Sequence, residues 1–141
     1  MIIQILFVFG ALPLAALGTM HLVFTLKDNQ RPRYIVPVSG AMITQMKNEK
    51  LRLTREGDMW RAWIGFNVSH SMAVMMVGWG YLYIALRYPE VLTADPIILW
   101  AAPFLASVFA LLSKRFWFSK PLIGSLLSAA FFSAGAVVAA L

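Results

Sequence analysis

The sequence predicts an all-α membrane protein, a bundle of four transmembrane helices. Three observations carry this. The chain of 141 residues is 60% hydrophobic and only 13% charged, with a mean hydropathy of +0.74, too apolar for an ordinary soluble domain. Its 12 Lys and Arg and 6 Asp and Glu fall almost wholly into three short stretches. Between those stretches lie four apolar runs, each able to cross a hydrocarbon layer about 30 Å thick, which takes about 20 helical residues.

Taken in order, the runs are 2–26, 60–86, 96–112 and 121–141, in a single domain of residues 1–141. No basic residue precedes the first run and eight follow it by the start of the second, counting Arg61 in that run's first turn, so it reads as a retained span rather than a cleaved signal peptide. The third run is short and needs Trp100 and the aromatic cluster Phe116, Trp117 and Phe118 to reach the interfaces. Pro96 and Pro121 suit the first turn of a helix, whereas Pro13 and Pro103 lie inside runs, where kinks are expected. Eleven of the twelve basic residues fall on one side, ten in the first and third loops and Arg61 at the adjoining end of the second run; Arg87 alone lies on the other, beside Glu90 and Asp95. By the positive-inside rule both termini face outward and the first and third loops face the cytoplasm.

The first loop, about 33 residues long, is the only sizeable polar segment. Residues 34–38 read as an extended piece, and Ser39 can cap a helix carrying Met42, Ile43 and Met46 among basic side chains. Such a helix can lie on the cytoplasmic leaflet, with its basic groups on anionic headgroups. The net charge of +6 therefore points to membrane lipids and the inner face of a bilayer, not to nucleic acid.

No cysteine is present, which excludes disulfides, thiolate metal sites and cysteine nucleophiles. All six carboxylates lie in loops or at span ends, so ion coupling or di-metal chemistry by buried carboxylates has no residues to work with. What remains polar at depth is His21 near the inner end of the first run, and Asn67, His70 and Ser71 in the second. At about 100° per residue, Trp60, Trp63, Asn67, His70, Ser71, Val74, Gly78 and Tyr81 share one face of the second helix. Ala62, Gly65, Ser69, Ala73 and Gly80 lie opposite and suggest a second packing face, which would leave this helix gripped on both sides. On the first helix Ile3, Phe7, Gly10, Leu14, Leu17, Gly18, His21 and Thr25 share a face. At about 1.5 Å per residue, His21 lies about 7 Å inside Leu26, Asn67 about 9 Å inside Arg61 and His70 about 13 Å inside it. In an antiparallel pair His21 thus meets Asn67, with His70 a turn deeper, Trp60 and Trp63 as walls and the first loop above.

Three readings are open for this patch. The polar groups can hold helices in register by hydrogen bonds. They can form a pocket for a lipid, quinone, pigment or other membrane-soluble small molecule, with histidine as donor or acid/base. Or His21 and His70 can ligate haem or another tetrapyrrole, in a b-type haem protein. Met72, Met75 and Met76 scatter around the helix and read as lipid-facing or gap-filling rather than metal-ligating. The fourth run repeats small residues at helical spacing, Gly124 with Ser128 and Ser125 with Ala129 and Ser133, which is a packing face.

The stretch Trp60-Arg61-Ala62-Trp63-Ile64-Gly65-Phe66-Asn67-Val68-Ser69-His70-Ser71, with Gly18-Thr19-Met20-His21 upstream, resembles a family of small, uncharacterised bacterial four-span integral membrane proteins. The resemblance implies the architecture and a bacterial inner membrane, and carries no activity. Compactness, almost no outward loop and small-residue faces on two spans lead to the expectation of a small accessory or scaffold subunit that packs against other membrane subunits or itself.

Overall fold

The computed structural model describes residues 1–141 and is all-α. Six helices follow in order: α1 (Ile2–Gln30), α2 (Gly40–Asn48), α3 (Met59–Arg87), α4 (Val91–Ala94), α5 (Pro96–Phe116) and α6 (Ser119–Ala140). No strand forms; the only bridge pairs Lys50 with Asp58, and the expected extended piece 34–38 is a series of bends. Both helices with interior prolines, Pro13 in α1 and Pro103 in α5, continue through them.

Three helices, α1, α5 and α6, are long and apolar enough to cross a membrane. The helix α3 matches α1 at 29 residues, yet its tryptophans, Asn67, His70 and serines keep it outside that set.

Backbone proximity divides the chain into two compact units, Met1–Gly18 with Ala73–Leu141, and Thr19–Met72. The first holds the apolar core: Phe7, Ala11 and Leu14 of α1, Val74, Tyr81, Leu82 and Ala85 of α3, Leu92 of α4, Leu99, Ala102 and Ala106 of α5, and Phe132 and Ala136 of α6. Phe7, Tyr81 and Phe132 form an aromatic triangle with ring centroids 5.3–6.1 Å apart, a favourable spacing for tilted rings. Tyr81 donates its hydroxyl hydrogen to the carbonyl of Ile98 at 2.8 Å, satisfying a polar tip that burial would otherwise penalise.

Glycine sets the closest approach in this unit. A Cβ on Gly78 would run into the backbone of Leu14 and Ala15, so α1 and α3 meet there backbone against backbone. The small-residue face of α6 packs within the chain: a Cβ at Gly124 would strike Leu17 and one at Gly135 would strike Phe7. Asp95 caps α5 by accepting from the amides of Ile97 and Ile98, and Pro96 opens the helix where its missing N–H costs nothing. The single turn α4, which periodicity did not indicate, buries Leu92 completely.

One expectation is corrected here. The face Ala62, Gly65, Ser69, Ala73 and Gly80 is not packed: Gly65, Ser69 and Ala73 are exposed, Ala62 and Gly80 are half-exposed, and nothing lies within 4 Å of a Cβ placed on Gly65 or Gly80. The helix α3 is gripped on one side only. Its buried side is the other stripe, with Trp60, Asn67, Ser71, Val74, Gly78 and Tyr81. Small side chains permit close approach but do not compel it, and the aromatic and polar stripe has more to gain from being covered.

Candidate functional site

The second unit, Thr19–Met72, contains every polar group singled out in the membrane-facing part of the sequence. The buried face of α1 arrives here through Gly18, His21 and Thr25 and continues one turn further to Asp28. The first helix of the loop, α2, is capped by Ser39, whose hydroxyl oxygen accepts from the amide of Met42 at 3.4 Å, as the sequence indicated. It buries no residue.

His21 and Asn67 meet at one level. The ring Nε2 of His21 lies 3.0 Å from Oδ1 of Asn67. The other end of the Asn67 amide, Nδ2, donates to the carbonyl of Trp63 at 2.8 Å. Oδ1 is then the acceptor, so His21 carries its proton on Nε2 and, when neutral, keeps Nδ1 as a lone pair. Ser71 donates to the carbonyl of Asn67 at 2.6 Å, and Thr25 to that of His21 at 2.9 Å. The side-chain hydrogen bonds of Asn67 and Ser71 thus go to His21 and to the backbone of α3.

His70 joins by ring contact. Its centroid is 5.6 Å from that of His21 in an edge-to-face arrangement at 84°, and 6.2 Å from Phe66 at 10°. Ligation of one haem by two histidines needs both rings to aim a nitrogen at a common iron from opposite sides of a flat macrocycle. Here the rings touch edge to face and Nε2 of His21 is turned to Asn67, so the pair as built does not fit haem or another tetrapyrrole between them. No group of three or more His, Cys, Asp or Glu comes together to hold a metal ion.

The tryptophans engage the first loop. Trp63 donates its indole N–H to the carbonyl of Ile35 at 3.1 Å. Trp60 is 5% exposed, with the ammonium of Lys47 5.3 Å from its ring centroid, a cation–π distance. Each ties part of the first loop to the start of α3.

Asp28, read from the sequence as one of six carboxylates in loops or at span ends with none buried, is in fact buried and organises the other edge. Asp28 is 1% exposed, and its carboxylate accepts three backbone hydrogen bonds, from Arg33 and Tyr34 on Oδ1 at 2.8 Å each and from Ile35 on Oδ2 at 2.7 Å. Charge-assisted bonds to successive amides are among the stronger ones available to a carboxylate. They fold the segment after α1 back over its last turns, where Tyr34 stacks on Phe24 at 4.8 Å and 14°. The signal available in sequence was modest: an acidic residue continuing the buried face of α1 at the spacing of His21 and Thr25.

No protein-family model, curated protein or solved structure matches the chain.

Proposed function

We propose that the protein is a small accessory subunit of a larger membrane assembly, seated in a bacterial inner membrane by four spanning helices with both termini outside. For α3 as the fourth span, the support is the distribution of its residues. Asn67 and Ser71 are buried, whereas Phe66, Met72, Met76, Trp79, Tyr83 and Leu86 are all at least 50% exposed. Polar groups inside and apolar groups outside is the arrangement a lipid solvent favours, and it accounts for the modest average hydropathy of this helix. Loop charge supports the orientation.

The observation that carries the subunit reading is the open stripe of small residues on α3. Gly65, Ser69, Ala73 and Gly80 recur at helical spacing on a face they share with the exposed Met72, Met76 and Tyr83, with nothing within 4 Å of a Cβ on either glycine. In lipid, helices associate through close backbone approach at such stripes. The test is the mass of the particle extracted in mild detergent, compared with that of Gly65→Leu, which fills the stripe without touching the fold. Association in the wild type that is lost in the variant supports the reading; a lone chain in both overturns it.

The alternative reading, an enzyme or binder acting on a membrane-soluble small molecule, draws on one observation: the two histidine rings meet edge to face, with centroids 5.6 Å apart, beside the His21–Asn67 hydrogen bond. It is separated from the first reading by the His70→Gln comparison described below.

A further inference from the structure

The residues that follow the last apolar turn of α1 border a surface cavity of about 220 Å³, open to solvent and lined by the exposed side chains of Lys27, Gln30, Arg31, Arg33 and Tyr34. Three of its five lining side chains are cationic, and none of the three forms an ion pair. Lys27 and Arg33 instead lie 5.9 and 5.8 Å from the ring centroid of Tyr34. The carboxylate nearest in sequence, Asp28, is buried and turned to three backbone amides. It shapes the cavity by bringing Arg33 and Tyr34 back to α1 rather than neutralising the cations that line it.

Basic residues at a helix C-terminus also complement the helix dipole. That demand is about half an elementary charge, and three cations exceed it. Guanidinium groups present paired donors that match phosphate oxygens, and lysine adds a point charge. The volume is several times the roughly 30 Å³ share of a water molecule, room for a tetrahedral phosphate with its ester oxygens. The site stands at the end of a helix long and apolar enough to span a membrane, the level at which phospholipid headgroups lie.

We propose that this cavity is a binding site for a phosphate-bearing anion, with Arg31 and Arg33 holding the phosphate oxygens, Lys27 supplying further charge and Tyr34 positioning the two cations that lie over its ring. The inference is independent of the subunit reading. It requires only that the fold at the end of α1 be as described.

The test is native mass spectrometry of the full chain in neutral detergent, titrated in separate arms with phosphatidylglycerol, phosphatidylcholine and inorganic phosphate. Two triple variants are compared with the wild type. One removes the cavity charges (Lys27→Gln, Arg31→Gln, Arg33→Gln); the other removes three charges elsewhere in the same loop (Lys50→Gln, Arg52→Gln, Arg55→Gln). Phosphatidylglycerol is expected to bind the wild type well ahead of phosphatidylcholine. The cavity variant should lose roughly 100-fold in affinity, about fivefold for each basic group at a membrane surface, while the control loses less than tenfold. If inorganic phosphate binds as tightly as the lipid and displaces it, the site holds and its ligand is a free phosphate; if phosphate is ineffective, the ligand is the headgroup. Equal binding of the two lipids by the wild type, or equal losses in the two triple variants, overturns the site in favour of diffuse loop charge.

Discussion

Replacing Gly78 by alanine probes the contact on which the α1–α3 pair depends. In a helix interior Gly→Ala is favourable by about 1 kcal/mol, so at an unconstrained position the substitution stabilises. At Gly78 the added methyl would lie 2.6 Å from Cα of Ala15 and 2.8 Å from the carbonyl carbon of Leu14, closer still to the amide nitrogen of Ala15. All three are backbone atoms, so no rotamer change relieves the clash. The helices must part by the better part of an ångström, a gap that already forfeits a quarter to a half of each dispersion contact along the crossing. Overpacking of this kind costs about 1–3 kcal/mol, and an obstacle made of backbone belongs at the upper end, for a net loss of about 2 kcal/mol. The neighbour Gly80 has nothing within 4 Å and should gain up to about 1 kcal/mol. Gly124 and Gly10 fall between, because the atoms their Cβ would meet belong to the side chains of Leu17 and Phe132. At about 2–4 °C per kcal/mol for a chain of this size, a thermal melt in detergent should show Gly78→Ala lowered by about 4–8 °C and Gly80→Ala unchanged or raised. Equal or reversed shifts at the two glycines would refute the packing described here.

Asp28→Ala removes the acceptor of three backbone amides, so residues 31–35 should open; limited trypsin digestion should then cut after Arg33 at least tenfold faster, with the helices intact by circular dichroism. Asn67→Leu deprives His21 of its partner and should cost about 0.6–1.7 kcal/mol, the range for a hydrogen bond between membrane helices, read as a lowered melting temperature. His70→Gln keeps donor and acceptor capacity but cannot titrate near neutrality; under the subunit reading the variant is stable, assembles and supports the host normally, whereas loss of cellular function with the fold retained would favour chemistry at the patch. A reporter active only in the cytoplasm should work when fused after Arg55 or Arg115 and fail after Asp95 or Leu141; the reverse pattern would overturn the orientation.

Much of the fold is visible in the sequence because long apolar runs leave few alternatives. The starts of α1 and α5 and the cap at Ser39 follow from local chemistry. The buried face of α1, from Phe7 through Leu14 to Thr25, follows from the helical period alone, and the meeting of His21 with Asn67 from the rise per residue. What sequence could not supply was the partner of each small residue. The sequence assigns Gly78 to one packing face of α3 and Gly65 and Gly80 to another, yet only Gly78 is pressed against another backbone, since that depends on where a second helix crosses. The role of Asp28 was hidden for a similar reason: its three donors come from a segment that folds back only once the carboxylate is there to receive it. The turn α4 is too short to show a period, and only its burial of Leu92 reveals its purpose.

The central claim, that the open face of α3 is where this subunit meets its partner, is tested most directly by cross-linking in intact membranes. The chain has no cysteine, so single cysteines report without a background. Placed at Gly65, Ser69 and Ala73 in turn, and at the exposed apolar positions Leu126 and Val137 of α6 as controls, they are treated with a short thiol-to-amine photoreactive linker. The account predicts one discrete larger product from the three α3 positions and none from the controls. Monomer alone from every position, or the same products from α6 as from α3, would contradict it.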